Sequence, residues 1–296
     1  MLAVLVFLFC WATAKWAVGS LVLTVFVHFA SLLACMFTFP FGIAALRTSR
    51  FASFIGRRLA RVNFDDESLK LLRALDPAKR KVFVVEPHGA NTLGMALTIG
   101  APGVDSMPEE LATRCVVVAH WLLFCVPFVA QLFSLCGAVC CRPNFFLYRA
   151  LTKGAHFALC PSGMEGKNAT LRRCNQESRR YIGDKRVIHI TRRNNGQLGF
   201  CSLAARNKAE IIPILSVDED SAYWMVCRWL HLPQLVYPMG SFLFFPFLEE
   251  MKVRVGQPID ASHYNSKSNA DMHALADHVY DSLKELARPD YCVLFE

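Results

Sequence analysis

The 296 residues are 54% hydrophobic with a mean hydropathy of +0.30, which excludes an ordinary soluble domain, because that much apolar surface needs a bilayer or an outsized core. A formal charge of +8 points to an anionic partner such as a lipid surface or a phosphorylated co-substrate. Aromatics and basic residues are not interleaved in the manner of single-strand binders, which argues against nucleic acid.

The first apolar block opens the chain. From Leu2 to Leu46 the only fully charged side chain is Lys15. A spanning helix needs about 20 apolar residues to cross roughly 30 Å of hydrocarbon. Residues 1–46 are therefore read as a membrane anchor, a transmembrane or re-entrant helical hairpin that turns near Gly19 and Ser20 and closes at Pro40 and Gly42. A cleaved signal peptide is the competing reading, with Leu2 to Trp11 as its apolar core and Ala12-Thr13-Ala14 as its cleavage site. No basic segment precedes the run, however, and hydrophobicity continues well past that point. Arg47, Arg50, Arg57, Arg58 and Arg61 follow directly, and the positive-inside rule then places residues 47–296 in the cytosol.

Residues 51–75 carry Phe54, Ile55, Leu59, Val62, Leu69, Leu72 and Leu75 at helical spacings and predict a basic amphipathic stretch at the headgroups. Lys81 to Glu86 (KVFVVE) predicts a buried strand. Arg114 to Ala119, Ala155 to Cys160 and Ile211 to Val217 are further apolar strands, with weaker signals over Val187 to Thr191 and Met251 to Val255. Trp121 to Leu135 predicts a helix apolar on nearly every face, either buried or pressed into the bilayer, and kinked at Pro127. Gly199 to Lys208 is another helix, and Asn269 to Leu286 an amphipathic one stopped by Arg288-Pro289. This alternation predicts an α/β fold with a mixed, largely parallel sheet flanked by helices. The twelve cysteines are scattered and form no C-x-x-C pair, so reduced thiols are expected and a metal site is not.

Three loops after apolar segments carry chemistry. Glu86-Pro87-His88-Gly89 follows the first buried strand. Histidine suits proton abstraction from an alcohol because its ordinary pKa of about 6.5 leaves a neutral ring at cytosolic pH, and Gly89 permits close approach. Pro161-Ser162-Gly163-Met164-Glu165-Gly166 combines small residues with a carboxylate, and could aim backbone N–H groups at a developing oxyanion. Arg142 ends the third loop, where a guanidinium could bind phosphate or carbonyl oxygens. A serine nucleophile at Ser162 is disfavoured, since Cys160 and Met164 stand where a nucleophile elbow needs glycines. Each loop taken alone has a structural reading as a turn or a surface arginine.

The order of these blocks resembles the type 2 diacylglycerol acyltransferase family, which includes monoacylglycerol and wax-alcohol acyltransferases within the wider glycerolipid acyltransferase superfamily. Glu86-Pro87-His88-Gly89 is similar to that family's His-Pro-His-Gly motif with glutamate replacing the first histidine. Pro127 to Arg142 is similar to its next block, and Pro161 to Gly166 to its glycine-rich loop, with Pro161 and Ser162 where paired glycines are usual. Arg192 through Gly199-Phe200 to Arg206 is similar to a further block, and Ile212-Pro213-Ile214 to its Val-Pro-Val strand.

The resemblance implies a membrane-bound O-acyltransferase that moves a fatty acyl group from acyl-CoA to a lipid hydroxyl. Diacylglycerol is the first choice of acceptor, with monoacylglycerol, a sterol or a wax alcohol as alternatives. His88 would be the general base. Position 93 is Leu, so no His-x-x-x-x-Asp partner exists, and Glu165 is the first choice to orient His88 with Glu86 the local rival. Gly89, Arg142, Ser162, Gly163, Gly166, Arg192 and Arg206 would bind substrate or coenzyme A. A basic rim for the CoA phosphates is expected among Arg172, Arg173, Arg179, Arg180, Lys185, Arg186, Arg192 and Arg193. Acyl-CoA acts as co-substrate, with no resident cofactor and no metal. The expected location is the endoplasmic reticulum membrane or a lipid droplet, and a homo-oligomer stays open. A lipid-ester hydrolase and a non-catalytic hairpin protein of lipid droplets are the competing functions.

Overall fold

A computed structural model describes residues 19–34, 61–87, 108–125, 130, 134–135, 137–141, 145–163, 181–182, 184–191, 198–217, 224–226, 237–239 and 250–295. The architecture is α/β, built on an eight-stranded sheet. Its strands are β1 (Arg61–Phe64), β2 (Lys81–Glu86), β3 (Cys115–Ala119), β4 (Ala138–Cys140), β5 (His156–Leu159), β8 (Glu210–Val217), β11 (Glu250–Val255) and β12 (Ile259–Asp260). They lie in the order β1-β11-β8-β2-β5-β3-β4, with β12 also paired to β8. Strands β8, β2, β5, β3 and β4 run parallel, while β11 and β12 are antiparallel to β8. A smaller sheet joins β13 (Tyr291–Phe295), β7 (Lys185–Ile190) and β6 (Tyr181–Ile182), and β9 (Trp224–Val226) pairs with β10 (Tyr237–Met239).

Strand β2 is buried along its whole length, because helices cover both faces of the sheet around it. Val82 and Val84 point to one face, where they pack with Ile211 and Leu215 against α5 (Gly199–Arg206) and α6 (Asn269–Ala287). Phe83 and Val85 point to the other, with Ile212 and Ile214, against Leu72 of α2 (Asp66–Ala74) and Leu111 of α3 (Glu109–Arg114). The period-two alternation of a strand thus sorts one continuous apolar run into two cores. Helix α4 (Phe145–Thr152) covers β3, β4 and β5 on the α5 side through Ala150 and Leu151.

Pro213 interrupts β8 without breaking it. Its carbonyl accepts from Gly256 N at 2.8 Å, so its missing N–H points to the same side, at the gap between β11 and β12 where no ladder bond is needed. Gly256 is required by close approach: a Cβ there would stand 2.9 Å from Ser282 Oγ and 3.1 Å from Pro213 Cγ. Helix α6 begins at an N-cap serine, Ser268, whose Oγ accepts from Asp271 N and donates to the Asp271 carboxylate. Its C-terminal end is held by Arg254, whose guanidinium donates to the carbonyls of Leu286 and Arg288 and pairs with Asp290.

Several expectations change here. Residues 61–64, expected within an amphipathic stretch, form strand β1, because the backbone of β11 supplies a parallel partner; residues 51–60 lie outside the described residues. Trp121–Cys125 is a 3-10 helix with Trp121 exposed and Phe124 buried, so of the two expected settings the fully buried one does not hold for Trp121; Pro127 lies outside the described residues. Tyr291–Phe295, beyond the expected stop at Pro289, adds a strand parallel to β7. Residues 19–34 form helix α1, so Gly19 and Ser20 are helical and the expected turn is not at those two residues. Among the described residues no helix is long and apolar enough to cross a membrane.

Candidate active site at the carboxyl ends of the strands

Parallel strands bring the loops that follow them to one edge of a sheet, where ligands of α/β proteins bind. Val84 of β2 pairs with Leu159 of β5, so Glu86 and Pro161, each two residues further on, end side by side. The contact between them is a buried carboxylate bridge. Glu86 has no exposed surface, and its two oxygens accept from Ser162 N and from Ser162 Oγ, each at 2.8 Å. Ser162 is 2% exposed. An ionised carboxylate is costly to bury unless hydrogen bonds replace its water, and Ser162 supplies two.

This arrangement turns Ser162 inward, onto Glu86. Its N–H is directed at Glu86 rather than at an oxyanion, and its hydroxyl lies inside the protein, which removes the exposure a serine nucleophile needs. Gly163, next in the chain, closes a turn onto the Cys160 carbonyl at φ +48, a left-handed conformation that glycine adopts without strain. The chain direction at this turn therefore depends on both residues.

Of the residues expected in the site, Glu86, Ser162 and Gly163 are brought together at this edge. His88, Gly89, Arg142, Glu165, Gly166 and Arg192 lie outside the described residues, although each belongs to a segment that leaves or enters an element described here. Arg206 is a correction. It ends α5, only four residues before β8 begins at Glu210, and the neighbouring Asn207 accepts from Arg80 just ahead of β2. Arg206 thus stands towards the amino ends of the strands, whereas Glu86 closes the carboxyl end of β2. Lys185 and Arg186 of the expected basic rim open β7; its other members lie outside the described residues.

Two further residues stand at the same edge without being among the site residues expected from sequence. His120 follows β3 and Cys141 follows β4, with Cys141 N donating to Ala119 O at 2.9 Å. Being one position past an apolar strand was the available signal. His120 is half-buried with its ring centroid 5.7 Å from that of Trp121. Among the described residues no three histidine, cysteine or acidic side chains gather as metal ligands.

The amino ends of the same strands carry a different polar cluster. Lys81, fully buried, donates to Glu210 at 2.5 Å, and exposed Lys79 donates to the other oxygen at 2.9 Å. Burial pushes the Glu210 carboxyl up, but the hydrogen bonds from Lys81 and Lys79 outweigh it and hold the group below the usual range. His156 is buried beside them, with Nδ1 accepting from Lys81 N at 3.1 Å. Burial, then the charges of Lys81, Arg114 and Arg80, push its pKa down to about 4, so the ring is neutral and carries its proton on Nε2. Cys201 on α5 is also inert, its thiol pushed up to about 12 by burial.

No family model and no curated protein matches this chain. Among solved structures it is similar to the crystal structure of the 1-acyl-sn-glycerophosphate (LPA) acyltransferase PlsC from Thermotoga maritima. The likeness has a TM-score of 0.47 at 11% sequence identity and covers 81% of this chain and 79% of that one.

Proposed function

We propose that this chain is a membrane-bound O-acyltransferase in which His88 removes the proton of a lipid hydroxyl as the hydroxyl oxygen attacks the thioester carbonyl of acyl-CoA. The carbon–oxygen bond forms, the carbon–sulfur bond breaks, and the proton held by the imidazole passes to the departing CoA thiolate, so no covalent enzyme intermediate is needed. Diacylglycerol is the first choice of acceptor, at a cytosol-facing surface of the endoplasmic reticulum or a lipid droplet. The Glu86–Ser162 bridge carries the reading. His88 lies two residues beyond Glu86 and Glu165 three beyond Ser162, so one buried contact ties together the two segments that the family resemblance makes catalytic.

In this reading Glu165 orients the imidazole in its basic tautomer and offsets the charge of the imidazolium, while Glu86 and Ser162 fix the two loops relative to each other. The buried hydroxyl of Ser162 disfavours the ester-hydrolase alternative. Labelled oleoyl-CoA supplied with diacylglycerol, monoacylglycerol, a sterol or a long-chain alcohol to membranes bearing wild type or His88→Ala tests the proposal. At least one acceptor should gain label in wild type, and the variant should be slower by about a hundredfold or more. Equal labelling in the two would remove His88 from the mechanism, and no labelling of any acceptor would remove the acyltransferase.

A further inference from the structure

Helix α1 has an unusual surface. Leu21, Val22 and Leu23 are 62–64% exposed, and Val25, Phe26 and Val27 are 46–69% exposed. Consecutive residues of a helix lie about 100° apart, so these six cover almost every direction around the axis. A protein partner buries one stripe of a helix, whereas lipid wets all of it. His28 and Leu32, four residues apart and both buried, continue the stripe of the exposed Leu21 and Val25, so the helix is covered only along this stripe of its later turns.

On that side the helix meets the segment just beyond β3. Leu32 packs with Phe124, Ala130, Ala138 and Cys140, the last two from β4. His28 Nε2 donates to the carbonyl of Phe124 at 3.1 Å, across 96 positions of sequence. Within the helix, Thr24 donates to the Ser20 carbonyl and Ser31 to the His28 carbonyl. His28 is thus a polar contact that fixes an apolar helix to the body of the protein in one register. Phe124 follows His120 by four residues, and Cys140 pairs with Ala119 at the end of β3, so the docking site borders the carboxyl edge. Trp121, 43% exposed in the same 3-10 turn, is of the type that settles at a bilayer interface, and the arginines at 47, 50, 57, 58 and 61 complement anionic headgroups.

We infer that His28 is a positioning residue: its hydrogen bond to the Phe124 carbonyl holds α1 against the turn beyond β3 and thereby seats the carboxyl edge of the sheet on a lipid bilayer. The consequence for lipid acceptors rests on the acyltransferase reading; the seating itself does not. Leucine at position 28 keeps the helix apolar and removes the donor, and glutamine restores an N–H donor at similar reach.

The test compares full-length wild type, His28→Leu and His28→Gln on phosphatidylcholine vesicles containing phosphatidylserine. The first readout is amide hydrogen exchange of bound protein. Exchange across residues 121–125 should quicken about tenfold in His28→Leu, roughly the worth of one buried hydrogen bond, and return towards wild type in His28→Gln, while α6 stays unchanged. The second is acyl transfer to long-chain diacylglycerol in the bilayer and to dioctanoylglycerol in micelles. His28→Leu should raise KM for the bilayer acceptor with little change in kcat for the micellar one. Unchanged exchange at 121–125, or wild type that stays off the vesicles as a self-associated species, overturns the inference. So does equal loss on both acceptors without rescue by glutamine. Altered exchange in a protein that acylates no acceptor leaves the seating in place and defeats the acyltransferase reading instead.

Discussion

The two ends of strand β2 each bury a charged residue, and they use it differently. At the amino end Lys81 pairs with Glu210, the first residue of the neighbouring strand β8. At the carboxyl end Glu86 takes two hydrogen bonds from Ser162, in the turn that follows β5. The first contact joins strand to strand, inside elements already held by ladder bonds and packing, and so contributes to stability. The second joins the last residue of a strand to a turn outside the ladders, and so fixes the place of that turn. Buried ionisable groups at opposite ends of one strand therefore stand in two settings, one between paired strands and one at the edge of the candidate site.

Removing the amino-end pair should have the largest effect on stability and little on turnover. Glu210→Gln leaves the buried Lys81 ammonium without its counter-ion and should cost about 3 kcal/mol, as broken buried pairs do. Urea unfolding in detergent would measure the loss, and kcat at low temperature should stay within about twofold of wild type. A large fall in kcat with intact stability would erase the distinction between the two ends.

Acid should act on the same end. The folded-state pKa of His156 is about 4 against 6.5 unfolded, so below pH 6.5 the unfolded chain binds the extra proton and stability declines as pH falls towards 4. The full contribution is present above pH 6.5 and amounts to roughly 3 kcal/mol at 1.36 kcal/mol per pKa unit. Glu210 acts in the same direction, since its lowered pKa gives stability that is present at neutral pH and lost in acid. A His156→Gln protein should show a shallower dependence of urea midpoint on pH between 6.5 and 4.5; an identical slope would contradict the assignment.

A smaller effect is expected away from both ends. Gly256→Ala presses a methyl group against Ser282 and Pro213, and should cost about 1–3 kcal/mol through displacement of α6. A melting temperature unchanged from wild type would mean that α6 yields without cost.

Much of the sheet was legible in the sequence because the buried strands are continuous apolar runs, and α6 was legible from its amphipathic pattern and its stop before Arg288-Pro289. Lys81 to Glu86 was read to the residue. Arg61–Phe64 was not, since RVNF alternates polar and apolar residues over only four positions inside a longer run with helical spacings, and pairing with residues 250–253 is what makes it a strand. The site was legible in part. Glu86 and Ser162 could each be singled out as residues following apolar strands, but their contact spans 76 positions and exists only because β5 pairs beside β2. Arg206 shows the opposite failure: a block order carried it into the site, and the three residues between α5 and β8 put it at the other edge.

The most direct measurement is the turnover number for acyl transfer in Glu86→Gln beside Glu210→Gln, both corrected for folded fraction. Glutamine at 86 keeps an acceptor for Ser162 N but loses the charge and faces the Ser162 hydroxyl with an amide at one position. If the carboxyl edge is where the acyl group moves and Glu86 sets its loops, Glu86→Gln should lose at least about tenfold in kcat, the worth of a charge-assisted hydrogen bond, while Glu210→Gln keeps its rate. Equal rates in the two variants would contradict the account.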